Sequence, residues 1–455
     1  MRLTIQEIAA ACGGQIINNI NKETLVTSIC TDTRKLVPGA MFVAIKGERV
    51  DGHDYISEAF AKGAVCALVE KDEKGFLSIH VESIERALLD IAAYYRRLHN
   101  VKVVAITGSA GKTTTKEMIA HVLARKFKTK KTMGNFNNFF GLPLSIFQLE
   151  PDDEVLVLEM GMNHGGEIHE LSLTGAPDIA VITNIGEAHI ENFKNQEGIL
   201  HAKLEILDGL SPSGTAIFNG SDPLLTGPIA SSKVAPFKQI YPSMVQIKAM
   251  DKNSITGGPA HFVIEGHDIH VNMPLPGEHM VMNALLAATV GIEMGLTPEE
   301  ITQGFDDIIP PGGRLGVMEL CGMTVINDVY NSNPASVKEA IKIVENQEGR
   351  KVCILGDMNE LGDISESRHR EIGAFTATIG INVLVTIGKR AWWMNEGFYE
   401  ALHEREDDFM PQWALHFETV ADFMKEWSSI LRTGDVVLVK ASRIMEFENI
   451  ISGLK

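Results

Sequence analysis

One short stretch, residues 103–117 with the sequence VVAITGSAGKTTTKE, constrains the fold of this chain more than any other. Four of its first five residues are apolar or small, and the first two are β-branched valines, which predicts a buried strand. Gly108, Gly111 and Lys112 then predict a tight turn, and the apolar residues that follow recur at helical spacing. Strand, glycine-rich turn and helix together form a cradle whose backbone N–H groups face a phosphate.

This cradle predicts the binding of ATP or GTP. Lys112 supplies a positive charge for the β- and γ-phosphates, and the Thr113 hydroxyl can reach Mg²⁺. The strict motif has a glycine five residues before the second glycine, where this chain has Ile106, but Gly108 lies where the backbone must turn. The alternative is an ordinary strand–helix turn with an incidental lysine. Gly-Lys followed by three threonines at a helix start argues against it.

Strand and helix signals alternate through most of the chain. EVLVLEMGM and PDIAVITNIG predict buried strands of a parallel sheet, and HFVIEGHDIHVNM predicts an antiparallel hairpin added to it. Further on, MTVINDVY, KVCILGDM, NVLVTIG and DVVLVKAS predict a second doubly wound unit without a phosphate loop of its own. We therefore expect an α/β protein of three domains, residues 1–98, 99–311 and 312–455, with flexible joints near residues 98 and 310.

Charge and cysteine content exclude several function classes. The net charge of −18, from 59 acidic and 41 basic residues, argues against a nucleic-acid partner. The five cysteines are scattered without a C-x-x-C pair, so neither a zinc site nor a disulfide framework is expected, and a reducing cytoplasm fits. The N-terminus lacks the features of a signal peptide, and no apolar run approaches the ~18 residues of a membrane span. We expect a cytoplasmic protein without a membrane span.

Three more positions have both a catalytic and an ordinary interpretation. Glu159 follows an apolar strand, where its carboxylate could hold Mg²⁺ beside the phosphates or could simply be exposed to solvent. His189 falls in a turn after another strand, and a lone histidine is more often structural than catalytic. Lys203 lies on a predicted helix among apolar neighbours, where a lysine stem usually extends its charged end into water.

A set of motifs in fixed order resembles the Mur ligases of bacterial cell-wall synthesis, from about residue 28 to residue 450. The set comprises TGSAGKTTTKE, NFNNFFGLPLS, EMGMNHGGEI, TNIGEAHIENF, AKLEI, PGEHMVMNALLA, PPGGRL, VYNSNPAS, ILGDMNELGD and VLVKASR. YNSNP followed by LGDMNELGD is typical of the member that adds a dipeptide, and the DNPR stretch of the member that adds the third residue is missing.

The resemblance implies an ATP-dependent ligase that joins D-alanyl-D-alanine to UDP-N-acetylmuramoyl-tripeptide through an acyl phosphate. It implies an N-terminal UDP-substrate domain, a central phosphate-loop ATPase domain with a mostly parallel sheet, and a C-terminal Rossmann-like domain, in a monomer. Two alternatives stay open. One is a relative that adds a single amino acid or a glutamate tail, and the other is a phosphate-loop kinase or NTPase switch.

The resemblance also implies roles for individual residues. The UDP end of the substrate would be held by Ser28, Asp32, Thr33, Arg34, Lys46, Gly47 and His53. The sugar–peptide channel and the metal site would be lined by Asn135, Asn137, Asn138, Thr183 and Asn184, and Asn333 would meet the nucleotide and the incoming dipeptide. ATP would be bound by Gly108, Ser109, Ala110, Gly111, Lys112, Thr113, Thr114, Asn283, Arg314, Asp328, Tyr330 and Asn331.

The metal and the catalytic lysine are implied in the same way. Thr113 and Glu159 would bind one Mg²⁺ and His189 a second, while Lys203 would carry a carbamate that helps to position the second ion. Lys112, His189 and Lys203 are thus the expected catalytic residues. Four features depart from the family pattern, and the three in the third domain bear on dipeptide specificity. They are Asn327 in place of an acid, Val329, Ala441 in place of glycine, and the missing glycine after Phe193.

Overall fold

The computed structural model describes residues 1–18, 21–47, 49–71, 75–251, 254–306, 308, 312–404 and 412–455. It consists of three α/β units that follow one another along the chain. The joint predicted near residue 310 falls on residues 307 and 309–311, which lie outside the described residues. Within the described ranges, no helix combines the length and the apolar character that crossing a membrane requires.

The first unit is a five-stranded sheet in the order β2-β7-β6-β5-β4, in which only the β2–β7 pair is antiparallel, beside a small β1–β3 ladder. Its elements are β1 (Leu3–Thr4), α1 (Ile5–Cys12), β2 (Gln15–Ile17), β3 (Leu25–Val26), β4 (Ser28–Cys30), β5 (Ala40–Val43), α2 (Ile56–Ala61), β6 (Cys66–Val69), β7 (Ser78–His80) and α3 (Ile84–Arg97). Helix α1 begins with a capping box between Thr4 and Glu7, which satisfies backbone donors of its first turn.

The middle unit contains a six-stranded, fully parallel sheet in the order β13-β12-β11-β8-β10-β9 and an antiparallel sheet β14-β15-β16. Its elements are β8 (Lys102–Thr107), α4 (Lys112–Leu123), β9 (Thr129–Lys131), α5 (Gly141–Ile146), β10 (Val155–Glu159), α6 (Glu167–Gly175), β11 (Ile179–Ile182), α7 (Gln196–Leu204), β12 (Thr215–Phe218), α8 (Pro228–Val234), β13 (Lys238–Ile240), β14 (Ile247–Met250), β15 (Gly258–Ile264), β16 (His267–Met273), α9 (Glu278–Glu293) and α10 (Pro298–Asp306).

The third unit is a six-stranded sheet in the order β17-β18-β22-β19-β20-β21, parallel except for the edge strand β17. Its elements are β17 (Gly316–Leu320), β18 (Met323–Asn327), α11 (Pro334–Glu345), β19 (Arg350–Gly356), α12 (Ser365–Thr378), β20 (Val383–Ile387), α13 (Trp392–His403), β21 (Trp413–Phe417), α14 (Val420–Ile430), β22 (Asp435–Lys440) and α15 (Glu448–Gly453). The predicted α/β class with mostly parallel sheets is therefore confirmed, and so is the predicted hairpin, β15–β16.

Strand β8 connects two hydrophobic cores because successive side chains of a strand point to opposite faces. Val104 and Ile106 pack in a core that includes α4 and α9 and continues into the third unit. Val103 and Ala105 pack in a core that continues into the first unit, where α3 lies against α5 and α6. The carboxyl end of β8, from which the phosphate loop leaves, is thereby held from both sides.

Candidate active site

The phosphate loop joins the end of β8 to the start of α4 in a conformation that needs glycine at two positions. Gly108 and Gly111 have φ angles of 151° and 80°, and a Cβ on Gly108 would overlap the hydroxyl of Thr183. Helix α4 begins after Gly111 without any side-chain cap. Its first N–H groups therefore stay available to an anion, which is the arrangement that binds phosphate at helix N-termini.

Thr183 and Asn184 support this loop through hydrogen bonds to its backbone. The Thr183 hydroxyl donates to the Ala110 carbonyl at 2.5 Å, and Asn184 both accepts from the Ala110 N–H at 2.9 Å and donates to its carbonyl at 3.1 Å. The backbone N–H of Ser109 donates to the Asn184 carbonyl. The structure thus places these two predicted channel residues under the phosphate loop and not along the cleft described below.

Lys112, which lines the cleft, and the buried Lys203 lie near each other at the loop. Lys112 donates to the Gly108 carbonyl at 2.8 Å, and burial lowers its pKa, against the opposing effect of the Glu159 carboxylate. Lys203 is 1% exposed near the end of α7, and burial, reinforced by the nearby Lys112, holds its pKa well below the usual lysine value. The ordinary interpretation of Lys203, a stem with its charged end in water, is therefore wrong.

Glu159 ends β10 with its carboxylate buried, so the solvent-exposed interpretation of this residue is also wrong. Its Oε1 accepts from the Thr113 hydroxyl at 3.2 Å and from the Asn137 amide at 2.9 Å. Its Oε2 is buried without a hydrogen-bond partner, and the Lys116 ammonium is 3.8 Å away. A buried carboxylate oxygen with no donor is costly unless a ligand satisfies it.

His189 meets a glutamate from the third unit. Its Nδ1 lies 2.7 Å from Oε2 of Glu360, and both residues have left-handed backbones, with φ angles of 63° and 65°. Such a conformation costs a non-glycine residue about 1–2 kcal/mol. No role was predicted for Glu360, although the residue lies inside the motif LGDMNELGD.

The third unit contributes further charged groups to the same place. Arg314 donates from Nη2 to the Thr113 hydroxyl at 3.1 Å, and its guanidinium stacks 3.9 Å from the ring centre of Tyr330. Asp328 is paired with Lys440, whose Nζ is 2.6 Å from Oδ2. Lys440 was also missed, although it lies in the quoted VLVKASR. The phosphate loop is thus faced by side chains of two units.

These groups surround a cleft of about 340 Å³. Of the predicted site residues, the cleft is lined by Ser109, Ala110, Gly111, Lys112, Thr113, Thr114, Asn135, Asn137, Asn138, Glu159, His189, Arg314, Asp328, Tyr330, Asn331 and Asn333. Asn283 lies behind the loop, where its side chain closely approaches Gly111. His279, Met280 and Ser336 also line the cleft and were not predicted.

The predicted UDP-binding residues all lie in the first unit, away from this cleft. Arg34 forms an ion pair with Asp32 at 2.8 Å, and this hydrogen-bonded partner lowers the pKa of Asp32 to about 2. His53 is buried, and its ring contacts the Asp51 carboxylate and accepts from the Glu70 N–H. The remaining predicted residues of this group are Ser28, Thr33, Lys46 and Gly47.

A second cleft of about 760 Å³ opens beside the first, and Asn331 lines both. Its walls come from the middle unit at Glu191 and from loops of the third unit that carry Glu360, Arg390 and Arg443. The Arg390 guanidinium donates to the neutral Asn359 side chain at 2.6 Å. The second cleft therefore contains a cation whose side-chain partner is uncharged.

Comparison with known proteins places the chain in a family. Three family models match it: the catalytic domain of the Mur ligase family over residues 25–111, the Mur ligase middle domain over 106–291, and the glutamate ligase domain of Mur ligases over 313–443. The UDP-N-acetylmuramoyl-tripeptide–D-alanyl-D-alanine ligase of Bacillus subtilis is 36% identical over 100% of this chain and 98% of its own length. The chain belongs to the Mur ligase family.

Solved structures of Mur ligases agree with this assignment. The chain resembles MurF from Acinetobacter baumannii with a TM-score of 0.91 and 29% identity, over 100% of this chain and 99% of the other. It also resembles the MurF ligase from Thermotoga maritima, solved in complex with ADP, with a TM-score of 0.82 and 27% identity over 94% and 97% of the two chains. The first and third sheets, and not only the phosphate-loop unit, therefore follow the Mur ligase architecture.

Proposed function

We propose that this Mur ligase uses ATP to join D-alanyl-D-alanine to UDP-N-acetylmuramoyl-tripeptide, giving the UDP-pentapeptide, ADP and phosphate. The observation that carries the proposal is the meeting of two units at one cleft. The phosphate loop and Glu159 of the middle unit face Arg314 and Asp328 of the third unit, and the second cleft opens directly beside them. The B. subtilis relative, whose name states this reaction, supports the choice of substrates.

ATP would bind with its phosphates on the loop and the start of α4. Lys112 and Arg314 would face the γ-phosphoryl group, where charge spreads in the transition state, and preorganised cations stabilise it there. The guanidinium of Arg314 is well placed for this role because Tyr330 supports one side of it and its Nε is buried without a partner. Asn283, Asp328 and Asn331 would contact the rest of the nucleotide.

The residues around Glu159 fit a Mg²⁺ ion. Mg²⁺ prefers oxygen ligands, and Oε2 of Glu159 is a buried carboxylate oxygen without a donor, with the Thr113 hydroxyl beside the same group. We assign one ion to Thr113 and Glu159 and a second to His189. When bound, Mg²⁺ would neutralise phosphate charge during transfer. Asn137, which donates to Glu159, would keep the carboxylate oriented.

The surroundings of Lys203 fit a carbamate. Only an uncharged amine reacts with CO₂, releasing one proton, and the depressed pKa of this buried lysine favours that form. Burial and the nearby Lys112 charge act on its pKa, with no hydrogen-bonded acceptor among the described residues, so the amine is not committed to a structural contact. The modification would add a carboxylate on a long arm and would help to place the second ion.

The peptide substrates would approach from opposite sides. The first unit would bind the UDP end, with Asn135, Asn137 and Asn138 along the channel to the cleft. The tripeptide carboxylate would attack the γ-phosphoryl group, ADP would leave, and an acyl phosphate would result. The dipeptide would enter the second cleft, where Arg390 offers a guanidinium to its carboxylate. Attack by its amine would form a tetrahedral intermediate and expel phosphate.

A phosphate-release assay in which only the amine is varied tests the proposal. With UDP-N-acetylmuramoyl-tripeptide and ATP present, D-alanyl-D-alanine should support turnover, while glutamate and single diamino acids should not. Equal rates with a single amino acid would favour a relative that adds one residue. Phosphate release that needs no amine would favour the NTPase alternative.

A further inference from the structure

The contact between His189 and Glu360 lies in the wall between the two clefts. His189 lines the cleft that contains the phosphate loop, whereas Glu360 lines the second cleft. The two residues belong to different units, and Oε2 of Glu360 lies 2.7 Å from Nδ1 of His189, an ion-pair contact that falls outside the direction of a linear hydrogen bond. The pair therefore lies between the cleft in which the tripeptide carboxylate would be activated and the cleft from which the dipeptide amine would attack.

Both residues hold a strained backbone to make this contact. His189 and Glu360 are among the few described non-glycine residues with a left-handed φ, and they are the two that face each other between units. Strained residues persist only where surrounding structure fixes them, and they concentrate at functional sites. The strain on both sides of one contact indicates a function beyond holding the units together.

Neighbouring contacts fix the His189 turn to the third unit at several points. The Glu191 N–H donates to the Glu360 carbonyl, and Arg368 of α12 forms an ion pair with Glu187. Glu187, His189 and Glu191 alternate along the turn, and each touches the third unit. The third unit therefore sets the position of His189, although the turn that carries His189 follows a strand of the middle unit.

We propose that Glu360 is a positioning residue that arrives with the third unit and orients His189 for its ligand in the nucleotide cleft. A carboxylate beside Nδ1 favours the proton on that nitrogen and leaves Nε2 as the free nitrogen. Carboxylate partners of this kind orient metal-binding histidines, and their removal typically weakens metal affinity 10–100-fold. The second ion site would then be complete only when the third unit is docked on the middle unit.

The geometry supports this role for Glu360, because its carboxylate contacts His189 while its backbone carbonyl accepts from the Glu191 N–H of the same turn. The inference rests on the proposed function, because it assumes that His189 holds an ion.

Direct counting of bound Mn²⁺ by electron paramagnetic resonance tests the inference without relying on turnover. The full chain is titrated with Mn²⁺ in the presence of a non-hydrolysable ATP analogue and UDP-N-acetylmuramoyl-tripeptide. The wild type should bind two ions, and His189→Ala and Glu360→Gln should each weaken one of them by about 10–100-fold. Glu360→Asp, which keeps the charge on a shorter arm, should retain part of the affinity.

Asp363→Asn is the matched control, because it removes the same charge from an exposed position three residues away. It should bind both ions like the wild type, and matching unfolding midpoints of all variants exclude misfolding. Wild-type affinity in Glu360→Gln together with loss in His189→Ala would overturn the inference and leave the proposed function intact. No effect of His189→Ala would remove the assumed ion from His189 and overturn both.

Discussion

At the scale of single residues, the neighbouring lysines at the phosphate loop, Lys112 and Lys203, are the most unusual feature. Two ammonium groups near each other repel, and desolvation disfavours the charge on each. Lys112 has compensation, because it donates to Gly108 and lies near two carboxylates. Lys203 has none of these partners. We therefore expect Lys112 to keep its charge for phosphate and Lys203 to lose its proton.

Lys112→Ala should abolish ligation and leave the fold intact. Loss of one preorganised charge contact of this kind costs about 3–4 kcal/mol, or ~10²–10³ in rate. Phosphate release measures the loss, and circular dichroism checks the fold. Lys130→Ala, on the edge strand β9, removes a partly exposed lysine and should be neutral. A Lys112→Ala enzyme with more than half of wild-type turnover would contradict the phosphate-loop assignment.

Lys203→Arg should be inactive, because a guanidinium cannot take up CO₂ and stays charged where burial disfavours charge. Lys203→Ala should also lose most activity, and acetate or propionate should restore part of it by occupying the vacated space. Turnover with and without added acid is the measurement. The exposed Lys194, in the loop before α7, provides the control Lys194→Arg, which should be fully active. Full activity of Lys203→Arg would exclude the carbamate.

At the scale of structural elements, the phosphate loop depends on what lies under it. Thr183 and Asn184 extend from β11, the neighbour of β8, and close the loop from below through hydrogen bonds to Ala110. Because this support has no room for a side chain at Gly108, the loop and the end of β11 form one unit. A substitution in the loop or at the end of β11 should therefore lower the affinity for nucleotide.

Gly108→Ala should abolish ADP binding, because the new Cβ overlaps the Thr183 hydroxyl and its φ of 151° is unfavourable for alanine. Calorimetric titration with ADP measures the effect. Gly266→Ala, in the β15–β16 turn, is the matched control, since its φ is 83° and nothing lies within 4 Å of the new Cβ. It should cost about 1–2 kcal/mol of stability and leave ADP affinity unchanged. Equal ADP affinity in both variants would contradict this account.

The elements that the sequence predicted well are those with strong, local patterns. The buried strands β8, β10, β11, β18, β19, β20 and β22 all have continuous apolar stretches. The edge strands β14, β17 and β21 were missed because most of their residues are only partly buried and their patterns are weak. A short edge strand is defined by its partner, which a local pattern does not show.

The same limit of local patterns applies to the residues of the candidate active site. Lys112 and Glu159 were found from the residues alone because a glycine turn and a strand end are local signals. The contacts of Glu360 with His189 and of Lys440 with Asp328 join positions more than 100 residues apart. Nor does a strand-end pattern say which atoms a side chain contacts: Thr183 and Asn184, expected along the channel and the metal site, hydrogen-bond to Ala110 of the loop.

At the scale of the whole molecule, the third unit meets the middle unit through an apolar core that both units share and through polar contacts close to the cleft. The polar contacts include Arg314 with Thr113, Glu360 with His189, Arg368 with Glu187, and His279 with Glu339. Domains of one chain usually move relative to one another unless their interface is large and hydrophobic. We expect the three units to close on one another during turnover, because the ligands would add contacts on both sides of the cleft.

X-ray scattering tests this closure. Addition of a non-hydrolysable ATP analogue together with UDP-N-acetylmuramoyl-tripeptide should lower the radius of gyration, and each ligand alone should have a smaller effect. Lys112→Ala is the informative control, since it should bind the analogue more weakly and shift the compaction to higher ligand concentration. An unchanged radius at saturating concentrations of both ligands would contradict the expected motion.

Helix α3 has a consequence for how the protein is made. Its apolar residues face α1 on one side and α5 and α6 on the other, and α6 ends at Gly175, about 80 residues after Arg97. At a synthesis rate of ~5–20 residues per second, that face waits roughly 4–16 s for its partners. During each round of synthesis this apolar stripe therefore stays without its α6 partner until that helix has been made. Polar substitutions on the side of α3 that faces α6 should reduce the apolar surface exposed during this interval and should lower the stability of the folded core.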